Sequence, residues 1–90
     1  MPATLVVRHK VTDYAGWRPV YDSLENLREQ HGCTGARVWQ LSGDDNDVLV
    51  THDFPTEEQA VAFAGDPALK EGMGRAGVAG PPQIEIFAVA

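Results

Sequence analysis

Leu5-Val6-Val7-Arg8-His9-Lys10-Val11-Thr12-Asp13 and Val48-Leu49-Val50-Thr51-His52-Asp53-Phe54-Pro55-Thr56 are two copies of one pattern. In each, an apolar residue recurs at every second position, a histidine falls on that same phase, and a helix-capping side chain closes the segment. A period of two with one apolar row is the signature of a strand with one buried face. The pair therefore predicts a doubled β-α-β unit whose two central strands each bring a histidine, His9 and His52, to one face of a sheet.

Between and after these strands the sequence supplies the remaining elements. Trp17, Val20, Tyr21, Leu24, Leu27 and Arg28 recur at three-and-four spacing and predict a helix that ends at Gly32. Pro19 fits only near a helix start, so the regular part is expected from about Trp17 or Arg18, with 13–16 a looser turn. Residues 36–41 and 48–54 read as strands joined by the turn-rich run Ser42-Gly43-Asp44-Asp45-Asn46-Asp47. Thr56-Glu57-Glu58-Gln59 is a capping box opening a second helix. Gly65-Asp66-Pro67 breaks and restarts that helix, and Leu69, Met73 and Ala76 continue its stripe. Gly80-Pro81-Pro82 reads as a rigid loop before a last strand, Ile84–Val89.

The order β-α-β-β-α-β with right-handed crossovers predicts an α+β, ferredoxin-like fold. It has a four-stranded antiparallel sheet of order 4-1-3-2 with both helices on one face, in a single domain spanning 1–90. Pairing Ser42 with Val48 would set Arg37 opposite Asp53, Trp39 opposite Thr51 and Val38 opposite His52, a register favoured by the charge pair. The face under the helices then carries Leu5, Val7, His9, Val11, Val38, Gln40, Val48, Val50, His52 and Phe54. The opposite face holds Trp39, Leu41, Leu49, Phe87 and Val89, too much apolar surface to leave in water. A homodimer packed sheet against sheet is the expected answer.

A composition of 43% hydrophobic and 22% charged residues is that of a soluble globular chain. A net charge of −6 argues against nucleic acid or an anionic membrane as a partner. The single cysteine, Cys33, forbids an intrachain disulfide. No apolar run approaches a membrane span, and Met1-Pro2-Ala3 carries no basic leader, so a cytoplasmic location is expected.

Asp13-Tyr14-x-x-Trp17, the Gly43-Asp44-Asp45-x-Asp47 hairpin, Thr56-x-Glu58-x-Ala60 and the late Ala76-Gly77-Val78-x-Gly80-Pro81-Pro82 together resemble small bacterial proteins of the dimeric α/β-barrel superfamily, close to its antibiotic biosynthesis monooxygenase-like group. The resemblance spans nearly the whole chain and implies a barrel made from two paired sheets, with a pocket between sheet and helices in each protomer. Activities in that superfamily include cofactor-free oxygenation of aromatic polyketides, haem breakdown, muconolactone-type isomerisation, haem-dependent chlorite and peroxide chemistry, and olivetol-type cyclisation. Residues 57–76 contain no histidine to hold haem iron, and no asparagine-tryptophan-tyrosine set of the quinone-forming oxygenases maps onto the chain. No catalytic residue is carried over, and neither a cofactor nor a metal is expected.

The residues themselves offer a short list of candidates. His9 and His52 face the presumed pocket and can act as acid or base near neutrality, or serve as half-buried core histidines bonded to backbone. On antiparallel strands they are expected at opposite ends of the sheet, too far apart to share a metal. Trp17 and Tyr21, one helical turn apart, would form an aromatic wall suited to a flat phenolic or polyketide ligand, with the Tyr21 hydroxyl orienting it; plain core packing is the other reading. Gln40 on the apolar face would orient a ligand or a water if interior, and Met73 would fill the second helix side. Arg37 and Asp53 read as a structural pair, and the Asp44–Asp47 run lacks the ligand alternation of a calcium loop. Cys33 and His31 sit at a helix C-terminus, where the dipole disfavours a thiolate and makes His31 a charge complement and nothing more. Two functions follow as expectations. The first is a cofactor-free oxygenase or cyclase/isomerase acting on an aromatic or polyketide-like substrate. The second is a non-catalytic, ligand-binding or stress-related homodimer.

Overall fold

In the computed structural model, which describes residues 1–90, the inner rows of the two histidine-bearing strands are almost free of solvent. Leu5, Val48, Val50 and Phe54 are buried, and so are His9 and His52. These strands are β1 (Ala3–Val11) and β3 (Asp44–Phe54), paired antiparallel with Leu5 against His52, Val7 against Val50 and His9 against Val48. β2 (Gly35–Leu41) flanks β3 and β4 (Val78–Ala88) flanks β1, giving the order β2-β3-β1-β4. This is the expected α+β, ferredoxin-like sheet.

The helices close over one face. Asp13 caps α1 (Tyr14–Ser23) by accepting the Ala15 N–H, and Asn46 Oδ1 accepts the Tyr14 N–H at 3.0 Å, tying the helix start to the hairpin. The helix therefore begins at Tyr14 rather than at Trp17, and Pro19 sits inside it at the cost of one backbone bond. It does not run on to Gly32. Ser23 Oγ donates to Val20 O at 2.6 Å, a side-chain bond that competes with the helical ladder, and the chain restarts as α2 (Glu25–Gln30). Thr56 caps α3 (Glu57–Ala64) through the Gln59 N–H, and Asp66 caps α4 (Pro67–Arg75) with Pro67 at its first position, as the sequence predicts.

Three further expectations change. The β2–β3 register is two residues away from the one anticipated. Gly35 faces Asp53, Arg37 faces Thr51 and Trp39 faces Leu49. A tight Ser42-Gly43 turn sets it, Gly43 taking φ +92°, with an irregularity between Gln40 and Leu41. A shift of two preserves which face each residue occupies. It separates Arg37 from Asp53: Arg37 lies 5.2 Å over the Trp39 ring, and Asp53 accepts from Thr4 Oγ1 at 2.8 Å. The segment 78–83 is not a loop but the first half of β4, bent where its pairing with β1 shifts between Arg8 and Lys10.

The helix-free face keeps its apolar residues exposed: Trp39 is 46% accessible and Phe87 55%. The one buried charge on it, Asp47, is gripped by Arg8 through contacts of 2.9 and 3.1 Å. On the other face the α1–α2 junction packs on α4. A Cβ at Gly72 would lie 2.7 Å from Leu24 Cδ1, so any side chain there makes the leucine tip move. Gly72→Val should cost ~1–3 kcal/mol by overpacking and lower the thermal midpoint, with Gly72→Ala costing less because the leucine tip can turn aside. Thermal melts of the two variants against wild type check this; equal midpoints would show that the two helical layers are not tightly apposed.

Candidate functional site

Between the helices and the inner sheet face lies a small, partly enclosed, apolar cavity. It leaves about 40 Å³ for the centre of a water molecule. β1 contributes Leu5, Val7 and His9, β3 contributes Val50 and His52, and α1 contributes Trp17 and Tyr21; Phe63, Met73 and Ile84 complete the far wall. Of the residues expected there, His9, His52, Tyr21, Trp17 and Met73 are brought together. Gln40 is not. It is exposed on the edge strand and donates to Asp45 O at 3.2 Å, because no helix reaches over that end of β2.

The aromatic side chains form a continuous ladder. His9 and Trp17 ring centroids are 5.7 Å apart, Trp17 and Tyr21 stack at 4.9 Å with planes 18° apart, and Tyr21 and His52 follow at 6.0 Å. Phe63 meets His52 edge-on at 5.3 Å. The two histidines lie toward opposite ends of the paired β1–β3 strands, as expected, yet they line the same cavity. They are separated by four residues of strand, roughly 13 Å at strand rise. No group of three or more His, Cys, Asp or Glu side chains is placed to share a metal ion.

Their polar atoms differ in a telling way. The Tyr21 hydroxyl and His52 Nε2 are 3.2 Å apart, a hydrogen bond whose direction depends on the imidazole tautomer. His52 Nδ1 is buried without a partner, and so are both nitrogens of His9. Buried polar atoms are rarely left unpaired, and those that are often serve a ligand or a water. Burial holds the His52 pKa down to about 4, helped by the Arg28 charge and opposed by Asp53. Burial likewise lowers His9, against the pull of Asp47, and raises Tyr21, against Arg28 and Arg18. Both imidazoles are therefore neutral at pH 7.

Arg28 is the residue that inspection of the sequence passed over. It falls on the apolar stripe of the first helical region, and a charge in such a stripe was the available signal. In the fold it is 9% accessible, donates to Tyr21 O at 2.9 Å and lies 4.2 Å over the Tyr21 ring. No carboxylate comes within ion-pair distance of it. His31 also does more than complement a helix end: its Nε2 is 2.8 Å from Asp66 Oδ2, joining the end of α2 to the cap of α4. That bond and the Ala68 N–H hold the Asp66 carboxyl below its usual range.

No sequence-family model matches the chain, and no curated protein matches it either. Solved structures do. SnoaB, a cofactor-independent oxygenase from Streptomyces nogalater, superposes with TM-score 0.81 at 13% identity, over 99% of this chain and 93% of its own. A candidate antibiotic biosynthesis monooxygenase from Bordetella bronchiseptica gives TM-score 0.81 at 16% identity, over 99% of this chain and 97% of that one. Another, from Caulobacter crescentus CB15, gives 0.77 at 19%, over 99% and 91%. The chain thus has the α+β fold of the antibiotic biosynthesis monooxygenase-like proteins, as the sequence resemblance implied. At these identities the likeness is one of fold.

The depressed histidine pKa values fix the acid response. A histidine whose folded pKa lies below its ordinary 6.5 contributes stability above that value and loses it as pH falls toward the folded pKa. Stability should decline between pH 6.5 and about 4, by about 3 kcal/mol for His52 from the size of its shift. Chemical denaturation across that range checks it: His52→Leu should flatten the slope, and an unchanged slope would place the acid sensitivity elsewhere.

Proposed function

We propose that this chain is a small-molecule enzyme of the antibiotic biosynthesis monooxygenase-like type. It works as a cofactor-free oxygenase or cyclase/isomerase on an aromatic or polyketide-like substrate in the cytoplasm. The observation that carries the reading is the Tyr21–His52 hydrogen bond in a cavity where His52 is neutral and its Nδ1 has no partner. At pH 7 this imidazole is in the neutral form that can accept a ligand proton at its free nitrogen, and the burial that keeps it neutral also lowers its basicity. Trp17 and Tyr21 supply a flat wall for an aromatic ring, and His9 a second polar contact at the other end. SnoaB, similar in fold, is a cofactor-independent oxygenase, which agrees with chemistry performed by side chains alone.

Substrate entry requires the cavity to widen. Leu69, Met73 and Ile84 stand between it and an outer groove of about 390 Å³ along α4 and β4. Withdrawal of the flexible Met73 side chain joins the two spaces, to a size in the range of small-molecule pockets, ~300–1,000 Å³. The small volume is also what favours the second reading, a ligand-binding or stress-related dimer in which these side chains are only core.

Turnover separates the two. Wild type and the His52→Ala and His9→Ala variants should be assayed against phenols and anthrones, following product and oxygen uptake, with thermal melts alongside. His52→Ala should lose ~10²–10⁴-fold in rate, the usual worth of a general base, while staying folded. A wild type that turns over nothing, with both variants losing only stability, leaves the non-catalytic reading standing.

The exposed helix-free face supports a homodimer closed sheet to sheet. Trp39 on the edge strand β2 and Phe87 on the edge strand β4 are its anchors, because large aromatics removed from water carry much of the association energy. Trp39→Asp should convert dimer to monomer or aggregate in sedimentation experiments. Wild type sedimenting as a monomer at micromolar concentration would sink the proposal.

A further inference from the structure

Resting on the reading of His52 as a base, we infer that Tyr21 is a proton conduit between His52 and the outside, and that Arg28 is the positioning residue that keeps the conduit open. Tyr21 is the one residue that lines both the apolar cavity and a polar surface groove of about 430 Å³ between α1–α2 and β2. Its hydroxyl meets His52 Nε2 at 3.2 Å. Arg28, which lines the same groove, fixes Tyr21 twice: by its bond to Tyr21 O and by its guanidinium 4.2 Å over the ring.

The path is a relay of single protons. In the working tautomer His52 Nε2–H donates to the Tyr21 oxygen and Nδ1 carries the lone pair. A ligand C–H or O–H bond breaks and an Nδ1–H bond forms. The Nε2–H bond then breaks as a new O–H bond forms on Tyr21, whose original hydroxyl proton passes to groove water. One proton leaves the ligand, one enters solvent, and neither residue keeps a charge. His52 is left protonated at Nδ1, ready to return that proton to a product; the same steps in reverse restore the starting tautomer.

Charge around the pair fits this work. Arg28 disfavours an imidazolium at His52 and favours an ionised oxygen on Tyr21, so it biases both groups away from trapping the proton. Asp53 opposes it at His52; Arg18 acts with it at Tyr21, while Asp22 and Cys33 act against it. α3 presents the uncharged Phe63 to His52. With no carboxylate pairing Arg28, its charge is not cancelled at short range.

The test needs no substrate, so its failure is distinct from failure of the enzyme reading, which the turnover assay decides. Exchange of the His52 ring N–H with water, measured by NMR on the folded protein, should slow tenfold or more in Tyr21→Phe. If Tyr21 only shields the ring, removing its hydroxyl leaves exchange unchanged or faster, and that result overturns the conduit. In parallel, Arg28→Met should raise the His52 pKa part of the way from about 4, burial continuing to hold it below the ordinary histidine value, and Arg28→Lys, which keeps the charge, should leave it low. A His52 titration that does not move in Arg28→Met overturns the role given to Arg28.

Discussion

A four-stranded sheet covered by helices on one side can remove only one row of side chains per strand from water, and the rest of this molecule is arranged around that limit. The row on β1 and β3 is the one removed most completely, because these two strands are central and lie beneath both helical layers. Burying a large apolar side chain is worth ~1.5–3 kcal/mol, so Leu5, Val48, Val50, Phe54 and Phe63 dominate the stabilisation of the fold. His9 and His52 occupy the same row and share its dryness. Their neutrality and unmet hydrogen bonds are consequences of the packing that makes the fold stable.

That packing also sets the character of the cavity. Trp17, Tyr21 and Phe63 fill the space above the sheet with rings rather than with aliphatic chains, leaving the histidines flanked by flat surfaces. Aromatic rings can bound a void without filling it, and Met73 can move where a branched residue could not. Gly72 lets the two helical layers approach, and the His31–Asp66 bond clips their ends together. The site is narrowed by contacts between the helices, with its polar atoms on the sheet below and on α1 above.

Charge is distributed with the same economy. On the helix-free face the buried Asp47 meets Arg8 in a two-contact pair. On the inner side the buried Arg28 has only a carbonyl and an aromatic face. A guanidinium is weakly hydrated and stacks well on aromatics, which makes such burial tolerable where an ammonium would resist it. Its uncancelled field falls on the two groups that share the hydrogen bond at the cavity wall.

The alternation of Leu5, Val7, His9 and Val11, and of Val48, Val50, His52 and Phe54, determined the buried face and placed both histidines on it, since a period of two is a local property of the backbone. Thr56, Asp66 and Pro67 likewise announced their helix ends because capping is settled within a few residues. The β2–β3 register was not legible: a tight turn and a local irregularity moved it by two, an even shift that leaves the hydrophobic pattern unchanged and so leaves no trace in it. Gln40 shared the inner phase yet lies in water, because phase says which face a residue takes and not whether a helix covers that point. The meeting of Tyr21, Arg28 and His52 belongs to tertiary structure alone. It depends on where α1 and α2 cross β3, and that crossing is set by packing between elements distant in the chain, which no local pattern encodes.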